Sequence, residues 1–163
     1  MASNKNCIIN VGIGGWYPSG TQRLIDTTEA YRNGIDILTW QDILPPGARL
    51  HEQSNYGFKT YAFREAFNQG YENVLWCDSS IYAIKDIAPV FDKLNEYGYY
   101  FIDNGFSLAE TGTDRLLDFE NIGRIEADAI PEITTCLFGI TEEILQVYLQ
   151  WFIYEQNNLF NGS

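Results

Sequence analysis

The segment Asn73-Val74-Leu75-Trp76-Cys77-Asp78-Ser79-Ser80 drives an apolar run into one carboxylate and two hydroxyls. Asp is poor strand material and costly to bury unpaired, so Asp78 at the carboxyl end of a buried strand asks for a partner. Open α/β sheets place ligands and metals at that edge. Asp78 with Ser79 and Ser80 suits a sugar, a ribose or, less well, a divalent cation, which wants more oxygen ligands than one carboxylate supplies. The alternative is a turn that Asp78 caps while the serines fill loop hydrogen bonds. Lys59 stands at the start of an otherwise apolar helical stripe. Its ammonium is therefore expected at the sheet edge, where it would serve an anionic ligand, unless it snorkels to water. Arg23 and Arg64 read as solvated charges. After the first strand comes Gly12-Ile13-Gly14-Gly15-Trp16-Tyr17, with glycines for close backbone approach and aromatics for stacking. It is not a GxGxxG loop, since Tyr17 holds the sixth place. Asp42, after the second apolar run, suits a ribose or base, or a turn cap.

Bulk properties narrow the classes. The chain has 163 residues, 45% hydrophobic and 15% aromatic, enough for one globular domain over 1–163. Ten basic against 22 acidic residues give a formal charge of -12. That field repels phosphate backbones and anionic lipid, which argues against nucleic acid and membrane surfaces as partners. No run reaches the roughly 20 apolar residues of a membrane span, and MASNKNC lacks a signal-peptide core. Cys7, Cys77 and Cys136 are odd in number and far apart, which reads as free thiols in a reducing, cytoplasmic setting. With His51 the only histidine, a zinc site is excluded, as is any histidine triad not built on it.

The elements needed to position these residues follow from periodicity. Strands are expected at 7–11, 35–40, 74–77, 81–84, 99–102 and 133–140. Thr21 caps a helix over 22–32 that Asn33-Gly34 stops, and a helix from Tyr56 or Gly57 to Asn68 turns Lys59, Ala62, Phe63, Ala66 and Phe67 inward. Asp86 caps a helix over 87–97, with Pro89 in its first turn. A further helix is expected near 114–119, and Thr141 caps a last one to about Gln156. This alternation predicts an α/β sandwich with a mainly parallel sheet.

The run from Tyr56 to Leu94, YGFKTYAFREAFNQGYENVLWCDSSIYAIKDIAPVFDKL, resembles the core of GT-A-fold nucleotide-sugar glycosyltransferases. There, a helix bearing a basic residue leads to a VLWLDSD-type strand, an apolar strand and a D-x-x-P-[LV]-F helix. The likeness extends over roughly Cys7 to Trp151, with ITTCLFGIT where such families place an acceptor-side strand. It implies a three-layer sandwich around a Rossmann-like, GT-A-type sheet. It also implies a nucleoside-diphosphate sugar as donor and a glycan or other hydroxyl compound as acceptor. Val11, Gly12 and Tyr17 would line the nucleotide pocket, with Asp42, Lys59, Asp78 and Ser80 completing the donor site. Asp78 would bind a weakly held Mn2+ or Mg2+. Asp103, with Glu132 and Glu110 behind it, would take the acceptor's proton unless it caps a turn, and Thr134 and Thr135 would meet the acceptor sugar unless they are ordinary strand residues. The family's Asp-x-Asp becomes Asp78-Ser79-Ser80 here, so a metal ligand is missing at Ser80. This leaves a second reading: an inactive GT-A-like module that binds sugar, or a protein partner through an aromatic surface. Nucleotidyl transfer ranks last, because the glycine loop lacks the basic residues a triphosphate needs. The sequon Asn161-Gly162-Ser163 carries little without a secretion signal.

Overall fold

The computed structural model describes residues 5–31 and 34–160; the expected helix end at Arg32-Asn33 and the sequon at 161–163 lie outside them. A five-stranded sheet runs in the order β2-β1-β3-β7-β4: Asp36–Trp40, Asn6–Val11, Asn73–Cys77, Leu137–Thr141 and Tyr99–Tyr100. β1 pairs in parallel with β2 and β3, while β7 is antiparallel to both its neighbours, so four strands share one direction. The register sets Val11 beside Trp40 and Ile9 beside Trp76, so the carboxyl ends of β1, β2 and β3 make one edge. A small antiparallel sheet of β5 (Asp103–Ser107) and β6 (Pro131–Ile133) stands apart from it.

Helices cover both faces. α2 (Phe58–Asn68) and α7 (Leu145–Gln156) lie over one, where Cys7, Ile9, Val74, Trp76, Phe63 and Ile140 form the core. α1 (Tyr17–Glu29) and α3 (Ala88–Tyr97) lie over the other, with Ile8, Leu24, Leu75, Phe91 and Leu94. Each such buried side chain stabilises the fold by roughly 1.5–3 kcal/mol before chain entropy is charged against it. Short helices α4 (Leu108–Thr111), α5 (Asp114–Glu120) and α6 (Arg124–Ala127) link β5 to β6.

The expected α/β sandwich is present, and its departures from expectation have local causes. No strand forms at 81–84. Ile81 N closes a turn on Asp78 O at 2.9 Å, and Ala83 N donates to Thr27 Oγ1 on α1 at 3.1 Å, so this backbone is satisfied without a ladder. α1 starts at Tyr17, with Pro18 in its first turn, and Thr21 is a buried interior residue rather than the cap. Asp86 does accept from Ala88 N, at 2.9 Å. Thr141 does not cap the last helix: its Oγ1 has no partner, and a 3-10 turn over Glu142–Ile144 intervenes. The strand expected at 99–102 ends at Tyr100, and the one expected at 133–140 divides into β6 and β7. The break at Thr134-Thr135-Cys136 turns the carbonyls of Thr135 and Cys136 toward Lys59 and the Asp78 N–H.

Candidate functional site

Asn10 is the one polar side chain of the buried strand β1 that faces away from solvent entirely, at 0% exposure. Its amide donates to Cys77 O at 2.7 Å, and its Oδ1 accepts from Thr21 Oγ1 at 2.6 Å. The Thr21 hydroxyl also lies 3.1 Å from Ser79 Oγ. The ends of β1, β3 and α1 are thus locked by a satisfied buried network, worth more than its separate bonds in this low-dielectric setting. Ser79 is consumed by that network. Gly12 is explained by it too: a Cβ there would meet Thr21 Oγ1 at 1.9 Å. Gly12 lets the helix approach closely and is itself buried.

Above this lock, Asp78 sits half-buried at the end of β3, its backbone N–H held by Cys136 O at 2.8 Å. Its Oδ1 accepts from Trp76 Nε1 at 2.7 Å and stands 3.1 Å from Lys59 Nζ. Lys59 comes from the first turn of α2 and is buried, only 6% of the residue being exposed. It also donates to Thr135 O at 2.6 Å and lies 4.8 Å from the Trp76 ring centroid. Burial pulls the Lys59 pKa below its usual 10.5, while the charge and hydrogen bond of Asp78 pull it back up. The Lys59–Asp78 pair joins the carboxyl end of β3 to the break before β7.

A cavity of about 500 Å3 opens beside Asp78. Val11 and Trp76 form its floor, Trp16 and Tyr17 its rim, and Ser79 and Ser80 one flank. Trp16 and Tyr17 are half-exposed and stacked, with centroids 4.8 Å apart. The opposite wall is the irregular segment 41–57, which supplies Leu44, Leu50, His51, Glu52 and Tyr56. Tyr56 holds a left-handed backbone at φ 59, a strained state for an aromatic residue. No Lys or Arg lines the cavity among the described residues; aromatic rings and the carboxylates of Asp78 and Glu52 do.

Of the expected site residues, Val11, Tyr17, Asp78 and Ser80 share this wall, and Lys59 reaches it through Asp78. Asp42 is exposed and stands outside it. Asp103 is exposed on β5, its Oδ1 accepting from Gly105 N at 2.7 Å in a side-chain turn. Glu132 accepts from Asn104 at 2.5 Å, and Glu110 closes a capping box with Ser107. Thr134 and Thr135 occupy the break before β7, where the Thr135 carbonyl, not its hydroxyl, reaches the site. Arg23 and Arg64 are not idle surface charges. Arg23 Nη2 lies 3.2 Å from Ser80 O and its guanidinium covers Tyr82, while Arg64 donates to Pro46 O and stacks on Tyr61. Asn10, Trp76 and the wall of 44–56 were not expected in these roles. Asn10 alone carried a signal, as a polar residue inside an apolar strand.

A divalent cation fits these residues poorly. Asp78 Oδ1 is already shared by Trp76 and Lys59. Among the described residues no three His, Cys, Asp or Glu side chains gather to hold a metal ion. No helix among them is long and apolar enough to cross a membrane.

No protein-family profile matches the chain, and no curated protein does. Its fold is similar to the solved structure of a glycosyltransferase involved in the glycosylation of the major capsid of PBCV-1. The TM-score is 0.54 at 16% identity, over 93% of this chain and 67% of that one. The chain therefore has a glycosyltransferase-like α/β fold of GT-A type, with a mixed, mostly parallel sheet of five strands.

Proposed function

We propose that the chain binds a nucleoside-diphosphate sugar in the cavity beside Asp78 and transfers the sugar to a hydroxyl acceptor. The observation that carries this reading is the placement of Asp78, paired with Lys59, in the lining of a roughly 500 Å3 aromatic cavity at the carboxyl ends of β1 and β3. In the transfer, the acceptor oxygen bonds to the anomeric carbon as its bond to the diphosphate breaks. The electron pair leaves with the diphosphate, and the hydroxyl proton passes to a carboxylate. Glu52 lies in the cavity wall, and Asp103 lies on the neighbouring small sheet. Charge building on the leaving group would be met by Lys59, which reaches the cavity through Asp78. No step is routed through a metal, because the donor set does not suit one.

Calorimetry with a panel of nucleoside diphosphates and their sugars, with and without Mn2+, tests this. At least one donor should bind, and Asp78→Asn should weaken it roughly tenfold by removing a charged acceptor. Binding by none of the panel would sink the proposal.

A second reading is a sugar-binding module without transfer activity. It is favoured by the absence of Lys or Arg from the cavity lining among the described residues and by its aromatic walls, which suit the apolar face of an uncharged saccharide. Donor hydrolysis that disappears in Asp78→Asn would defeat it.

A further inference from the structure

The wall of the cavity made by 41–57 contains no helix or strand, and a segment of this length without regular structure is held by side chains or not at all. Within it, Leu50 O accepts from Gln53 and Ser54 N–H groups, and Pro45 O from Ala48 N, which are only local turns. Arg64 ties Pro46 O from α2, and the long-range tie nearest the cavity residues Leu50, His51 and Glu52 is their sequence neighbour Arg49. Its Nε lies 2.5 Å from Glu155 Oε1, its Nη2 donates to Glu155 O at 2.6 Å and its Nη1 to Asn158 Oδ1 at 2.8 Å. Glu155 is 1% exposed at the end of α7, and its Oε2 accepts from Tyr61 on α2 at 3.0 Å.

Arg49 therefore does three things at once. It neutralises a buried carboxylate, caps the carboxyl end of α7 and fixes Asn158 in its left-handed conformation at φ 55. Gly57, which closes the wall, packs against the same point: a Cβ there would meet Ser54 Oγ at 2.3 Å and Glu155 Cγ at 2.9 Å. We infer that Arg49 and Glu155 are positioning residues of the cavity, and that its 44–56 wall takes shape only when the chain around 155–158 is docked against it. The end of α7, far along the sequence from the cavity, would then control access to it. A ligand that needs the wall would favour the docked state in return.

Docking of the wall rests on Arg49 and Glu155 whatever the cavity binds, so hydrogen exchange without ligand tests it first. Amide hydrogen exchange of Arg49→Met should rise on the order of tenfold or more in 44–56, with β1 and β3 unchanged. Arg49→Lys, which keeps the charge and loses the fork, should fall between that and the parent. Because Arg49→Met leaves Glu155 buried and unpaired, the double variant R49M/E155M guards against simple misfolding; it removes both charges and should still loosen 44–56 alone. Exchange that stays at the parental rate in 44–56, or that rises equally in β1 and β3, overturns the inference. Where a nucleotide sugar binds the parent, its affinity should fall with the wall's protection across the three variants. Affinity that ignores the wall would overturn the coupling to binding and leave the exchange result standing.

Discussion

The edge above β1 and β3 and the small sheet of β5 and β6 both carry carboxylates and hydroxyls, but they are held in opposite ways. At the first, Asn10, Thr21 and Ser79 are buried and bonded to one another, and Asp78 is fixed by Trp76 and Lys59. At the second, Asp103 and Glu132 satisfy only near neighbours on the same sheet, and Phe106 and Ile125 stand in solvent. A polar group sealed from water has one acceptable geometry, whereas an exposed one has many, because water satisfies whatever the protein does not. The first edge is thus pre-organised, while the second is free to adjust.

The largest effect that would test this contrast is steric. A Cβ at Gly20 would stand 2.3 Å from Ser79 O, a backbone atom that cannot turn aside. Gly20→Ala should therefore cost about 3 kcal/mol, despite roughly 1 kcal/mol of gained helix propensity. Gly123→Ala, beside the small sheet, meets nothing within 4 Å and should cost less than about 1 kcal/mol. Urea midpoints of the two variants measure the difference. Equal costs would mean that the Ser79 turn yields, and that the first edge is no more rigid than the second.

The same contrast governs what could be read from the sequence. β1, β2 and β3 were legible because they are short apolar runs between glycine-rich punctuation, and Lys59 was legible because a charge interrupted an apolar helical stripe. The strand order that sets β1 beside β3, and so brings their carboxyl ends to Asp78, was not legible from these runs. Within 101–136 the helix expected at 114–119 forms as α5, but the small sheet was not legible: β5 is Asp103-Asn104-Gly105-Phe106-Ser107, turn-forming residues that become a strand only because β6 lies beside them. The break at Thr134–Cys136 was hidden for the opposite reason. Its residues are good strand formers, diverted by tertiary bonds from Lys59 and Asp78 to their carbonyls. The 41–57 wall was equally silent, since nothing in its sequence announces that Arg49 will find Glu155.

A smaller effect is expected from removing one polar group at each edge. Asn10→Ala strands Cys77 O and takes from the Thr21 hydroxyl its 2.6 Å acceptor, and should cost about 2 kcal/mol. Asp103→Ala gives up one exposed bond to Gly105 N and should stay within about 0.5 kcal/mol. Chemical denaturation again decides. A costly Asp103→Ala would show that the small sheet is as tightly determined as the main one.

The mildest test is alkaline. Cys7 lies on the α2 face of the sheet and Cys77 on the α1 face, directly beneath the first edge. Burial pushes the Cys7 thiol up from its ordinary 9.0 to about 12, helped by the charge of Asp36, and burial raises Cys77 as well. In the unfolded chain both thiols ionise near 9, whereas the folded protein keeps them neutral. Between those limits the folded state binds more protons than the unfolded one. Stability is therefore full below pH 9 and falls as pH rises above it, by about 1.4 kcal/mol per pH unit for each thiol. Cys7→Ala should remove about half of that slope between pH 9 and the onset of tyrosine ionisation, whatever it does to stability at neutral pH. An unchanged slope would mean that water reaches Cys7 at the amino end of β1; the same substitution at Cys77, the residue before Asp78, reads the first edge itself.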